Sequence, residues 1–97
     1  MAKLKTRRWD SAEYLKTEAD VVNYLDAVFE DGDPTLIVHA LGVLARSKGM
    51  AKIAKKTGLG RESLYKALSK EGNPEFLTVL KVVQALGYRL TITANAA

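Results

Sequence analysis

Apolar residues recur every three or four positions along most of the chain, which is the spacing of helices that bury one face. The pattern predicts three longer helices, over residues 18–30, 35–48 and 75–86. The side-chain oxygen of Thr17 can cap the first of these by accepting a hydrogen bond from a backbone N–H of the first turn. The predicted buried stripes are Val21, Val22, Leu25, Val28 and Phe29 in the first helix, and Phe76, Leu77, Val79, Leu80, Val83 and Leu86 in the last.

The middle helix is apolar around much of its circumference, which places it at the centre of a helical bundle. The segments before the middle and last helices, residues 31–34 and 71–74, each combine glycine with proline and predict turns. Pro34 suits the first position of the middle helix, because the N–H that proline lacks would have no helical partner there. Gly49 and Gly87 are suitable residues for ending the middle and last helices.

Residues 50–69, MAKIAKKTGLGRESLYKALS, predict two short helices joined by a tight turn. Apolar or small residues fall on one face of each helix: Ile53, Ala54 and Thr57 in the first, and Leu64, Ala67 and Leu68 in the second. Gly58 can take the left-handed conformation that ends a helix, and Leu59 can enter the core beside it. Two helices joined in this way form the helix-turn-helix motif, whose second helix enters the major groove of DNA.

The two ends of the chain have a different character. Residues 1–9 predict a flexible basic arm, with Trp9 docked on the domain, and residues 12–16 predict a short helix. Residues 88–93 alternate and are rich in strand formers, so they predict one short strand that must pair with a second copy or with another protein's sheet edge. The sequence therefore predicts a single all-α domain over residues 10–97, with five or six helices and one short C-terminal β-strand.

The formal net charge of +4 conceals a strong polarity along the chain. Residues 10–33 carry eight acids and one lysine, whereas residues 48–70 carry seven basic residues and one acid. The acidic stretch is either a solvated helical face or a docking surface for a basic partner. The basic stretch is either a solvated face or a DNA-binding surface, and its place on the predicted motif favours DNA.

Composition argues against an enzyme, a metal centre and a membrane protein. The chain has no cysteine, and its one histidine, His39, has no second histidine or cysteine with which to complete a site. Gly58-Leu59-Gly60 lacks the pattern of a phosphate-binding loop. No apolar run approaches the roughly 20 residues of a membrane span, and the N-terminus lacks the apolar region of a secretory signal. We therefore expect a cytoplasmic protein that is not an enzyme and uses no metal or cofactor.

The candidate DNA contacts fall into base-reading and phosphate-holding residues. Base edges are assigned to Arg61, Glu62, Ser63 and Lys66, and phosphates to Lys52, Lys55, Lys56 and Tyr65. Arg61 can read guanine or hold a phosphate instead. Glu62 can accept a hydrogen bond from cytosine or simply complement the N-terminus of its helix.

Residues 44–92, LARSKGMAKIAKKTGLGRESLYKALSKEGNPEFLTVLKVVQALGYRLTI, resemble the antidote proteins of HigA-like addiction modules. These form a branch of the lambda-repressor-like helix-turn-helix superfamily. Residues 21–25 (VVNYL) and 30–34 (EDGDP) fit the same family, so the resemblance extends from about Trp9 to Ile92. The run from Gly49 to Pro74 is its most specific part.

The resemblance implies an antitoxin that binds and neutralises a small RelE-like toxin, forms a homodimer and represses the operon that encodes both proteins. RelE-like toxins are usually basic, so the expected toxin-facing residues are acidic: Asp26, Glu30 and Asp31. The expected dimer surface is the last helix with the strand, represented by Phe76, Tyr88, Leu90 and Ile92. One alternative is a phage-type or regulatory repressor with no toxin partner, and another is a protein-interaction module that has lost DNA binding.

Overall fold

The computed structural model describes residues 16–69 and 71–95. This part of the chain forms five helices: α1 (Glu18–Asp31), α2 (Pro34–Lys48), α3 (Met50–Thr57), α4 (Arg61–Ala67) and α5 (Phe76–Ala85). The prediction of helices at these places is confirmed. The predicted arm over residues 1–9, the docking of Trp9 and the short helix ending at residue 16 lie outside the described residues, apart from Lys16, which is not helical.

Side-chain caps and glycines set the ends of the first two helices. The Thr17 hydroxyl accepts a hydrogen bond from the Asp20 N–H (3.0 Å), and an Asp20 carboxylate oxygen accepts one from the Thr17 N–H (3.1 Å). This reciprocal pair is a capping box, and it satisfies two backbone donors at the start of α1. Gly32, with φ of 80°, ends α1, and Asp33 caps α2 through the Thr35 N–H at 3.0 Å.

Each helix contributes one large, fully buried side chain to a single core, in chain order Tyr24, Leu41, Ile53, Leu64 and Val82. The central position predicted for α2 is confirmed. Six consecutive residues of α2, Ala40 to Ala45, are buried, and α2 packs against α1, α3 and α5. The short helix α3 packs against α4 and α5. The core beneath α3 and α4 is thus shared with the rest of the domain.

Gly42 permits an unusually close approach between α2 and the end of α4. A Cβ atom at Gly42 would lie 2.8 Å from the backbone oxygen of Leu68 and 3.5 Å from the Leu68 Cβ. Real Cβ atoms do not approach a backbone oxygen this closely, so only glycine fits. Nothing in the sequence near Gly42 indicates this role, because the contact joins residues 26 positions apart.

The structure corrects two predictions about apolar residues. Residues 88–95 contain no strand, and Tyr88 and Leu90 instead pack half-buried against the core. An isolated strand has no ladder to stabilise it, and here the Tyr88 N–H donates to the Val83 carbonyl oxygen at 3.1 Å while both side chains contact the core. Val22, Phe76 and Leu77 were expected in the buried stripes but are 45%, 69% and 56% exposed. Val22 lies at the border of the buried face of α1, and the other two lie in the first turn of α5, beyond the edge of the core.

Candidate nucleic-acid interface

The turn between α3 and α4 is fixed by backbone and side-chain hydrogen bonds. Gly58 has φ of 77°, and its N–H donates to the Ala54 carbonyl oxygen at 2.9 Å. The buried Thr57 hydroxyl donates to the same oxygen at 3.2 Å and accepts from the Leu59 N–H at 3.2 Å. The half-buried Leu59 side chain packs against the core, as the sequence predicted. These contacts hold the start of α4 in a fixed position relative to α3.

α4 is a seven-residue helix that is held from one side. Leu64 is fully buried, and Leu68 just after the helix is 2% exposed. The remaining residues from Arg61 to Lys66 are exposed, including the four assigned to base edges. Tyr65 is 44% exposed, so its ring is not part of the core. Because Leu64 and Leu68 are buried, the polar side of α4 faces solvent.

The lysines of α3 lie on the face opposite to its core residues. Met50, Ile53, Ala54 and Thr57 are buried, whereas Lys52, Lys55 and Lys56 are exposed. Residues three and four apart share one side of a helix, so these lysines form one stripe. We call the exposed cations of both helices the basic surface: Lys52, Lys55, Lys56, Arg61 and Lys66. The unit is compatible with a helix-turn-helix, whose second helix would be α4.

Lys81 of α5 adds a cation close to the basic surface that was not among the predicted DNA contacts. It lines a cleft of about 290 Å³ together with Lys56, Thr57 and Gln84. Lys81 is 25 positions from Lys56, and only the packing of α5 on α3 brings the two side chains to one cleft. No local signal in the sequence marks this pairing.

α1 carries charge of the opposite sign. All of its ionised side chains are acidic, and the three that were assigned to a toxin, Asp26, Glu30 and Asp31, are exposed. Hydrogen bonding to Thr17 lowers the pKa of Asp20 below its usual value. The larger contribution comes from the Thr17 backbone N–H and the smaller one from the Thr17 side chain. The capping box at the start of α1 therefore favours the ionised form of Asp20. The acids of α1 and the cations of the basic surface lie on separate helices, although α4 also carries the exposed Glu62.

Residues 5–94 match the family described as "Probable addiction module antidote protein". The chain belongs to this antidote family. A related "Uncharacterized protein" of Haemophilus influenzae is 43% identical over 84 residues, which cover 87% of each chain. No solved structure matches the chain.

Family membership supports an antitoxin role and implies a toxin as partner. The antidote interpretation of the sequence is confirmed at this level. The assignment to HigA-like modules, the RelE-like nature of the toxin and the binding of DNA stay predictions. The exposed acidic face of α1 and the basic surface give this antidote family member two surfaces of opposite charge.

The four residues predicted to form a dimer surface differ in exposure. Phe76 and Ile92 are 69% and 97% exposed, whereas Tyr88 and Leu90 are half-buried against the protein's own core. Burial, followed by repulsion from Glu18, raises the pKa of the Tyr88 hydroxyl above its usual value. Of these four residues in this antidote family member, Phe76 and Ile92 are therefore the ones that lie largely open to solvent.

Two further features concern metal ions and membranes in the described part of the chain. No group of three or more histidine, cysteine, aspartate or glutamate side chains there is arranged to hold a metal ion. No helix between residues 16 and 95, residue 70 aside, has the length and apolar character needed to cross a bilayer.

Proposed function

We propose that this protein is a DNA-binding antitoxin of a type II toxin–antitoxin module, acting in the cytoplasm. It binds and neutralises a RelE-like toxin, and as a homodimer it represses its own operon by covering the promoter. The observation that carries the proposal is the separation of a basic surface on α3 and α4 from an acidic face on α1, in a chain of the antidote family. The protein works by binding and has no enzymatic activity of its own.

In the proposed complex with DNA, α4 lies in the major groove. Arg61, Glu62, Ser63 and Lys66 contact base edges, while Lys52, Lys55, Lys56 and Tyr65 hold phosphates on either side. The exposure of all eight side chains and the burial of Leu64 support this orientation. Two copies related by a two-fold axis place their α4 helices roughly 34 Å apart, which suits a palindromic operator.

The proposed homodimer forms through apolar side chains that the single chain leaves exposed. Phe76 and Leu77 at the start of α5, together with Ile92 in the C-terminal segment, are the large hydrophobic residues available for it. Phe76→Ser and Ile92→Ser leave the core intact, so each variant is expected to fold and to sediment as a monomer. A double variant that still sediments as a dimer would move the interface elsewhere.

DNA binding is tested by fluorescence anisotropy with a labelled duplex from the protein's own upstream region and with a scrambled duplex. We expect tight binding that prefers the native duplex and falls steeply with salt, because phosphate contacts release counterions. Lys55→Gln weakens binding to both duplexes and reduces the salt slope by about 1, whereas Arg61→Ala costs about 1–3 kcal/mol on the native duplex alone. Equal, weak binding to both duplexes would contradict the repressor role.

Toxin binding is tested with the purified product of the small gene beside this one. We expect the two proteins to form a stable complex that suppresses the toxicity of that product. Replacing Asp26, Glu30 and Asp31 by lysine weakens the complex but spares binding to the operator duplex, because the acidic face of α1 is separate from the basic surface. A protein that binds the operator but no neighbouring product would instead be a regulatory repressor without a toxin.

A further inference from the structure

An apolar groove lies between α1 and the segment that follows α5. Its volume is about 230 Å³. Two buried core residues, Leu25 of α1 and Val83 of α5, line it, so the groove reaches down to the core. The half-buried Phe29 and Leu90 also line it, and Val22 stands at its opening with 45% of its surface exposed. Val22, which the helical pattern predicted to be buried, is thus an exposed residue of this groove.

The groove has one charged residue on each side. Asp26 lines it from α1, and Arg89 lines it from the C-terminal segment; both are exposed. The α1 side is uniformly negative, because the helix from Glu18 to Asp31 contains no lysine or arginine. The groove therefore combines an apolar interior with an acidic rim along α1.

We propose that this groove is a docking site on the antitoxin for the toxin, which inserts an apolar side chain flanked by a lysine or arginine. The apolar side chain covers Val22, Phe29 and Leu90, and the flanking cation pairs with Asp26. This inference rests on the proposed antitoxin function and assigns a specific contact to it. It makes Val22 and Asp26 the main toxin contacts of α1 and gives Asp31 a minor role.

The carboxylates of α1 argue for a basic partner on that side of the groove, while Arg89 lines the other side. A second copy is not favoured by the residues of the groove, because the exposed apolar residues proposed for the homodimer, Phe76, Leu77 and Ile92, do not line it. DNA phosphates would be repelled by the same carboxylates. A basic protein surface is complementary to the rim, and its apolar side chain removes Val22 from water.

Helical geometry provides a matched control. With 3.6 residues per turn, Asp31 lies about 140° around α1 from Asp26, while Val22 lies about 40° from Asp26 on the groove side. Asp31 does not line the groove. Asp26→Lys and Asp31→Lys change the net charge by the same amount, so any difference between them reports the local contact rather than long-range attraction.

The affinity of the full-length protein for the purified product of the adjacent gene is measured by isothermal titration calorimetry for three variants. Val22→Glu adds a negative charge but destroys the apolar contact. We expect this variant to raise the dissociation constant about tenfold or more, because the apolar contact in the groove is lost. Asp26→Lys is expected to weaken binding by a similar factor, and Asp31→Lys by less than about threefold. Circular dichroism and operator binding, which none of the three residues serves, confirm that each variant is folded.

The outcomes separate the inference from the function on which it rests. If the wild-type protein binds no neighbouring product, the antitoxin function itself fails. If the wild type binds but Val22→Glu binds as tightly or more tightly, the attraction is purely electrostatic and the groove is not the docking site. Equal losses for Asp26→Lys and Asp31→Lys overturn the inference in the same way. A free Val22→Glu protein that sediments as a monomer, where the wild type is a dimer, would assign the groove to a second copy.

Discussion

α1 and α4 carry the two charged surfaces of the protein, and the fold holds them in different ways. α1 has 14 residues, a capping box at Thr17 and a left-handed glycine at its end. α4 has seven residues, no side-chain cap at Gly60 and one buried residue within its length, Leu64. Isolated helices shorter than about 12–15 residues are marginal in water, so α4 depends on tertiary contacts. The proposed DNA-reading surface is therefore only as stable as the core beneath it, whereas the acidic face is also supported by local interactions.

The largest expected effect comes from removing the residue that anchors α4. Leu64→Ala deletes a fully buried side chain and should lower the free energy of unfolding by about 2–5 kcal/mol. Operator binding should fall with it, since α4 loses its support. Urea unfolding and anisotropy measure the two effects, and Ser63→Ala on the exposed face is the control, with little change in stability. Full stability of Leu64→Ala would show that α4 is held by something other than the core.

A second effect tests the close approach of α2 to the end of α4. Gly42→Ala should lower the free energy of unfolding by about 1–3 kcal/mol, because the added methyl group meets the Leu68 backbone oxygen. Helix propensity alone predicts the opposite sign, since alanine is favoured over glycine by about 1 kcal/mol. Asn23→Ala, at an exposed position of α1, is a control that should be neutral or stabilising in urea unfolding. A Gly42→Ala variant that is more stable than wild type would mean that α2 and the end of α4 can move apart without loss of stability.

A smaller effect is expected at the cap of α1. Thr17→Ala removes the side-chain oxygen that accepts from the Asp20 N–H, and the loss of an N-cap costs about 1 kcal/mol. Toxin binding should weaken only as far as the first turn frays, and operator binding should not change. The comparison with Leu64→Ala in the same urea experiment sharpens the contrast between a locally supported helix and one held by the core. Equal losses of unfolding free energy in Thr17→Ala and Leu64→Ala would contradict this difference between α1 and α4.

The smallest effect is the pH dependence of the same cap. The Thr17 N–H hydrogen bond lowers the pKa of Asp20 in the folded protein from its usual value of 3.8. A lowered pKa stabilises the fold above the unfolded-state pKa, and this contribution is lost as the pH falls through the folded-state pKa. The stability advantage of wild type over Asp20→Asn should therefore be present at about pH 7 and shrink below about pH 4. Solvent screens this exposed carboxylate, so the effect is small. If the stability difference between wild type and Asp20→Asn did not change with pH, it would arise from packing and not from the charge of Asp20.

Local chemistry explains why much of the fold was predictable. Thr17, Asp33 and Gly58 act on backbone groups within four residues of themselves, so their roles can be read from short segments of sequence. The exposed stripe of lysines on α3 follows in the same way from helical periodicity. Exposure at the edges of the core was not predictable, because Val22 and Phe76 belong to apolar stripes whose outer members no other helix covers.

The sequence by itself determined the five helices of the described chain, the turn at Gly58 and the separation of acidic from basic charge. These follow from spacing, capping and composition, which act between neighbours along the chain. Only the tertiary structure decided that Gly42 touches Leu68, that Lys81 joins Lys56 at one cleft, and that α1 and the C-terminal segment form an apolar groove instead of a strand pairing. Each of these joins residues more than 20 positions apart, and such contacts depend on how all the helices share one core.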